Sequence, residues 1–170
     1  MPVPPSEFAD ALRLYAAGVA LLCVRDDIDD VGTTVTSVMS VSADPPLVAV
    51  GLTADGYPAE VLESVGSCAL TVLGAEHTIL ASRFSSAGRP SARHLLESVP
   101  WRRAPVSGGI VLDGGLAALD CRLDRVVPAG DHALALLEVV GVPVLRAAGR
   151  PLLRLRGRYV DEAGSAAGRS

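Results

Sequence analysis

The run GTTVTSVMSVSADPPLVAV, from Gly32 to Val50, constrains the fold more than any other stretch of the chain. It sets hydroxyls and small residues on two short β-type segments and breaks between them at Asp44-Pro45-Pro46. Proline has no N–H to give a sheet ladder, so the chain turns there before Leu47 to Val50 resumes as a buried strand. Thr34, Thr36, Ser37, Ser40 and Ser42 form a row of neutral donors and acceptors. Such a row suits a ligand that takes many hydrogen bonds and needs no strong countercharge. The commoner meaning of such a run is a plain Thr/Ser-rich strand pair.

The rest of the composition narrows the class. A chain of 170 residues is expected to form one domain, here 1–160, followed by a disordered tail, 161–170, with no core-forming residues. Hydrophobic residues make up 49% and aromatics only 4%, so the core must be aliphatic. A net charge of -4 offers no basic patch for nucleic acid. No apolar run reaches the ~20 residues that cross a bilayer. The start, MPVPPSEFADA, lacks a basic region followed by an apolar one, which predicts a cytoplasmic protein. Cys23, Cys68 and Cys121 each sit inside an apolar run. Their odd number and the absence of CxxC predict buried free thiols and no metal.

Periodicity supplies the elements. Ser6 is the expected N-cap of a helix whose face is Phe8, Ala11, Leu12 and Tyr15, ended by Gly18. Val19 to Val24 reads as a buried strand, and Asp26, Asp27, Asp29 and Asp30 as an exposed hairpin tip. The chain returns through Val31 to Val38. Ala59 to Val65 reads as a helix closed by Gly66, Ser67 to Leu73 as a strand, and Glu76 to Phe84 as a second helix. Ser85 to Pro105 is irregular and long enough for a functional loop, with a helical turn or two within Ser91 to Ser98. From Ala117 to Asp124 apolar and polar residues alternate. A turn at Pro128–Asp131 leads into a strand from His132 to Gly141. Leu153 to Tyr159 alternates with Arg154, Arg156 and Arg158, a charged edge strand or a phosphate-attracting stripe. Many short strands and three small helices predict a closed antiparallel barrel.

Few residues advertise chemistry. His77 reads as a surface residue near a helix start, and His94 as solvated. His132 opens a strand after a Gly-Asp turn and belongs at a barrel mouth, where a structural role is the plainer reading of the residue alone. There is no HxH, HExxH, GxSxG, GxGxxG or P-loop.

The order of the motifs carries more than any one of them. From about Phe8 to Tyr159 the chain resembles the flavin reductases with an FMN-binding split barrel, the reductase components of two-component flavin-dependent monooxygenases. FADALRLYAAGVALL looks like the family's opening, and TTVTSVMSVSADPPLVAV like its flavin strand pair. LGAEHTILASRFS, GGLAALDCRL, GDHALALLEV and PLLRLRGRYV resemble its later motifs in order. The resemblance implies a mostly β, antiparallel Greek-key split barrel with a few short flanking helices. It implies an NAD(P)H-dependent flavin reductase that passes hydride from NADH or NADPH to FMN or FAD. It also implies a homodimer and a monooxygenase partner served by diffusible reduced flavin.

By matching positions, the resemblance places Thr34, Thr36, Ser37, Val38, Met39, Ser40 and Thr53 against the flavin. Phe84 and Ser85 would stand near its ribityl and phosphate. His132 would face the nicotinamide as the catalytic residue, with Arg158 and Tyr159 closing that pocket. Two departures stand out. Val38-Met39 replaces the family's Phe-Thr. Thr53-Ala54-Asp55-Gly56-Tyr57 replaces its Arg-Ser-Ser-x-Thr-like phosphate grip, which predicts weaker phosphate binding. The alternatives are a flavin-binding barrel without turnover and a pyridoxamine-phosphate-oxidase-like flavoenzyme with its own substrate.

Overall fold

The computed structural model describes residues 1–86, 88, 90–146, 148–161 and 163. Helix α1 spans Pro5–Leu12, and short β1 (Ala17–Gly18) leads into β2 (Ala20–Arg25) and β3 (Asp30–Val35). The Thr/Ser run then forms β4 (Val38–Ala43), and β5 (Pro46–Thr53) follows the Pro-Pro turn. After α2 (Tyr57–Val65) come β6 (Ser67–Val72), a 3₁₀ turn at Ala75–His77, α3 (Thr78–Phe84) and α4 (Ala92–Leu95). The remainder is β7 (Trp101–Arg103), β8 (Ile110–Leu112), β9 (Ala117–Ala129), β10 (His132–Leu145), β11 (Leu153–Leu155) and β12 (Arg158–Val160).

Seven strands make one antiparallel sheet in the order β3-β2-β6-β9-β10-β5-β4, and two small sheets, β1-β11-β12 and β7-β8, lie apart from it. The main sheet curls strongly. Val35 at one end shares a core cluster with Val50 and Leu52 near the other, and Gly51 N donates to Ser37 O at 2.9 Å. Strand β2 explains its uniform apolar run by being buried on both faces. Leu22 and Val24 join the inner cluster under α2, while Leu21 and Cys23 join an outer cluster with Leu80 and Phe84 of α3.

Several local expectations hold. Gly66 ends α2 in the left-handed region at φ 73°, where a β-carbon would be strained. Gly130, at φ 68°, is the first residue of the two-residue turn between β9 and β10. All three cysteines are free and buried.

Others are corrected. Ser6 does not cap α1: Pro4 stands at the N-cap and the helix begins with Pro5, whose missing N–H costs nothing there. The helix stops at Leu12, well before Gly18, and none of its residues is buried. The stretch 153–159 is a tight hairpin rather than one edge strand. Arg156 (φ 51°) and Gly157 (φ 74°) make its turn. The arginine stripe is therefore broken, and Arg154 lies over the Tyr159 ring at 4.6 Å. Asp30 is buried rather than exposed at the hairpin tip. His77 is buried as well, its Nδ1 accepting from Gly74 N at 3.1 Å. Of the expected tail, Asp161 is buried and takes a hydrogen bond from Arg150 Nη1 at 2.9 Å. Residues 162 and 164–170 lie outside the described residues.

Candidate functional site

A cavity of about 780 Å³ opens where three segments meet. One wall is the hairpin between β2 and β3, with Asp26, Ile28 and Asp29 at its tip and Gly32 and Thr33 deeper in. The second is the end of β5 and the start of α2: Leu52, Thr53, Gly56 and Tyr57. The third follows α3: Ser85, Gly88 and Pro90 to Ala92. Hydroxyl-bearing Thr33, Thr53, Tyr57, Ser85 and Ser91 line it together with apolar Val31, Leu52 and Ala59 and the acidic Asp26, Asp29 and Asp30.

The hairpin wall carries the strongest electrostatics. Asp30, with a side chain only 1% exposed, receives Arg103 through both guanidinium nitrogens and Arg93 Nε at 2.9 Å. Arg103 continues over the Trp101 ring at 5.2 Å. Burial pushes the Asp29 carboxyl up, but the Asp30 N–H, the Ser91 hydroxyl and Arg93 outweigh it and hold it below its ordinary value. At the tip, Tyr57 Oη donates to Asp26 Oδ2 at 3.4 Å, across from α2 to the hairpin.

His132 is linked to this cavity through Thr53. The two are register partners on β10 and β5, and Ala54 N donates to Asp131 O at 3.1 Å. His132 Nδ1 lies 2.8 Å from Asp131 Oδ1. The hydrogen bond from His132 holds the Asp131 carboxyl below its ordinary value. An ionised carboxylate only accepts, so Nδ1 carries the proton in this contact.

The other residues singled out in the sequence fall into separate groups. Ser37, Val38, Met39 and Ser40 lie exposed at the start of edge strand β4 and just before it. Met39 pairs with Ala49 of β5, which pairs with Leu136 of β10. Thr36 is half-buried at the corner between β3 and β4. Thr34 Oγ1 donates to Ala81 O at 2.9 Å and so is engaged with α3. Phe84 is fully buried in the outer cluster, which leaves Ser85 as the residue of that pair at the cavity. Arg158 and Tyr159 sit on β12, and neither lines the cavity.

Sequence reasoning missed Asp30, Arg93, Arg103 and Tyr57. Nothing local marks the first three, because Asp30 and Arg103 are 73 residues apart. Cys68 and Cys121 are directly opposed on β6 and β9. The Cys121 hydrogen bond and burial drive the Cys68 thiol well above its ordinary value, so Cys68 is unreactive packing. Among the described residues no group of His, Cys, Asp and Glu could hold a metal.

Residues 12–163 match the model of the flavin reductase like domain. The chain belongs to this flavin reductase family. It is 36% identical to the NADH-dependent FMN reductase AsuE2 of Streptomyces nodosus subsp. asukaensis, over 91% of this chain and 83% of that protein. It is 33% identical to the reductase component of 4-hydroxyphenylacetate 3-monooxygenase of Thermus thermophilus, over 89% and 93%. Among solved structures, the NADH:FAD oxidoreductase SgcE6 of Streptomyces globisporus, in complex with NAD and FAD fragments, superposes with a TM-score of 0.84. That similarity is 26% identity over 94% of this chain and 95% of the other. For a flavin reductase, the donor set fits the ligand. Five hydroxyl-bearing residues beside Val31, Leu52 and Ala59 match a neutral polyhydroxyl chain joined to an aromatic ring system, while Asp26, Asp29 and Asp30 give a phosphate no grip.

Proposed function

We propose that the chain is an NADH-dependent flavin reductase whose reduced product serves a partner monooxygenase. The observation that carries this is the meeting of the hydroxyl-lined cavity with the Asp131–His132 pair at the shared Thr53 corner, in a chain of this family. A flavin supplies a hydride acceptor and the dihydronicotinamide a hydride donor; the protein's task is to hold the two together. Thr33, Thr53 and Ser85 offer hydrogen bonds to a hydroxylated chain. Thr36 and Ser37 just before β4, and Ser40 on it, offer further ones. Met39 and Leu134 present exposed apolar surface for a ring. His132, aligned by Asp131, orients the carboxamide of the nicotinamide from its Nε2. No strong acid or base is required for hydride transfer, in keeping with a site that has no triad.

The same reading carries the assembly. We infer a homodimer and a main sheet closed into a split barrel at the Thr36–Ser37 corner. The bond from Gly51 N to Ser37 O supports the closure. The uncovered face of α1, where Phe8 is 57%, Leu12 49% and Tyr15 73% exposed, supports the dimer. No helix among the described residues is long and apolar enough to cross a membrane; we place the protein in the cytoplasm.

The test is NADH or NADPH oxidation in air by the purified protein, with FMN, FAD or riboflavin added in turn. Turnover that depends on added flavin is the expected result. Flavin binding without turnover under any pairing overturns the assignment.

A further inference from the structure

The hairpin and the segment of α3 and α4 are joined in one way behind the cavity lining and in another at its rim. Behind the lining, Thr34 Oγ1 bonds to Ala81 O at 2.9 Å, and Phe84 packs against the bare α-carbon of Gly32. These contacts fasten α3 to β3 whatever happens above them. At the rim the Ser91 hydroxyl makes one hydrogen bond to Asp29, and a single side chain supplies the charged contacts. Arg93 of α4 places Nε 2.9 Å from Asp30 Oδ2 and 3.2 Å from Asp29 Oδ1, with Nη2 3.5 Å from Ile28 O. Ile28, Asp29 and Asp30 line one wall, while Ser91 and Ala92, directly before Arg93, line the other.

We propose that Arg93 is a positioning residue for nucleotide binding: it fixes the spacing between the hairpin and segment 90–92, and so sets the width of the cavity mouth. This rests on the reading of the cavity as a nucleotide site of flavin reduction. The role is separable from folding because Arg103 also grips Asp30. Without the Arg93 guanidinium the buried carboxylate keeps a cationic partner with two contacts. What disappears is the half-exposed Arg93 bridge to Asp29 and Ile28, leaving the Ser91 hydroxyl as the link to Asp29. A looser mouth binds a nucleotide less well in ground state and transition state alike, which raises KM and leaves kcat in place.

The experiment compares wild type, Arg93→Gln and Arg93→Lys by steady-state NADH oxidation, varying flavin and NADH separately, with a thermal melt of each. For Arg93→Gln a KM increase of about tenfold is expected for the ligand seated in the cavity, with kcat within about twofold. Arg93→Lys, which keeps the charge but not the fork, recovers part of the loss. A rise confined to flavin KM assigns the cavity to flavin; one confined to NADH KM assigns it to the dinucleotide; a rise in both places it where the two meet. Unchanged KM for both overturns the proposal. So does a kcat loss that merely follows a fall in Tm. A cycle with Asp29→Asn adds a second reading: the two effects on log KM are expected to be non-additive, and additivity counts against the bridge. Absence of flavin-dependent turnover in wild type defeats the functional reading itself, a result distinct from any of these.

Discussion

Phe84 lies against Gly32 so closely that a β-carbon on Gly32 would overlap the ring at Cε1, and would stand 3.0 Å from Cδ1 and 3.3 Å from Ala92 Cβ. The glycine thus lets one aromatic ring join β3 to α3 and α4 beneath the cavity. Gly32→Ala is expected to overpack this contact and lower stability by about 1–3 kcal/mol, read as a lower denaturation midpoint. Flavin affinity should weaken with it, since Gly32 also lines the cavity. Phe84→Leu in the same chain should restore part of the midpoint; a double variant no better than the single would show that the ring is not the obstacle.

Asp30 and Arg103 make the second structural knot. Arg103→Met leaves the buried carboxylate with Arg93 as its remaining cationic partner, itself half exposed. A loss of about 1.5–3 kcal/mol is expected from removing charged hydrogen bonds while Arg93 still pairs the carboxylate, measured by urea titration. Asp30→Asn together with Arg103→Met should be less damaging than Arg103→Met alone, because the half-exposed Arg93 then has no buried charge to compensate by itself.

These two knots bear on how much of the molecule was legible in its sequence. The strand β2 was, because a run apolar on every residue fits a strand covered on both faces. So were β9, from its alternation, and the end of α2, from Gly66. The end of α1 was not. Leu14 and Tyr15 keep the helical spacing, yet their N–H groups bond to Ala11 O and Leu12 O, three residues back, as the chain leaves the helix. Arg154, Arg156 and Arg158 alternate like a strand, but Arg156-Gly157 takes left-handed angles and folds the run back on itself. The site split the same way. The Gly-Asp turn placed His132 at a strand start. Which of four neighbouring aspartates would be buried depended on arginines of β7 and α4, far along the chain.

His77 gives the fold a pH dependence. Burial lowers its pKa below the ordinary value of about 6.5, against the opposing pull of Glu76, with Arg146 adding to the lowering. The native state therefore keeps the ring neutral where the unfolded chain protonates it. The stability tied to this is complete above pH about 6.5 and is lost as the pH falls below that value. Thermal melts from pH 7.5 to 5 should fall more steeply for wild type than for His77→Gln, whose amide oxygen offers an acceptor to Gly74 N. Parallel curves would refute this.

The exposed face of α1 predicts an assembly effect. Phe8→Asp with Tyr15→Asp places two charges on a stripe that buries nothing within its own chain. Fold stability of the isolated chain should change by less than about 0.5 kcal/mol, while sedimentation should shift from dimer to monomer. A dimer that persists unchanged at micromolar concentration removes α1 from the interface.

His132 separates the two halves of the proposed reaction. Its ring is anchored by Asp131 and its strand by Thr53, so replacing it alters one end of the site and leaves the hydroxyls of the cavity in place. His132→Ala is expected to lower kcat/KM for NADH by about ten- to a hundredfold, the scale of a lost orienting contact. Flavin affinity, followed by fluorescence quenching, should stay within about twofold. Asp131→Asn should show a smaller loss of the same kind, because an amide holds the Nδ1–H less firmly than a carboxylate does. Equal losses in flavin and NADH binding would mean that His132 supports the strand end rather than the nicotinamide. An unchanged kcat/KM would remove it from the site altogether.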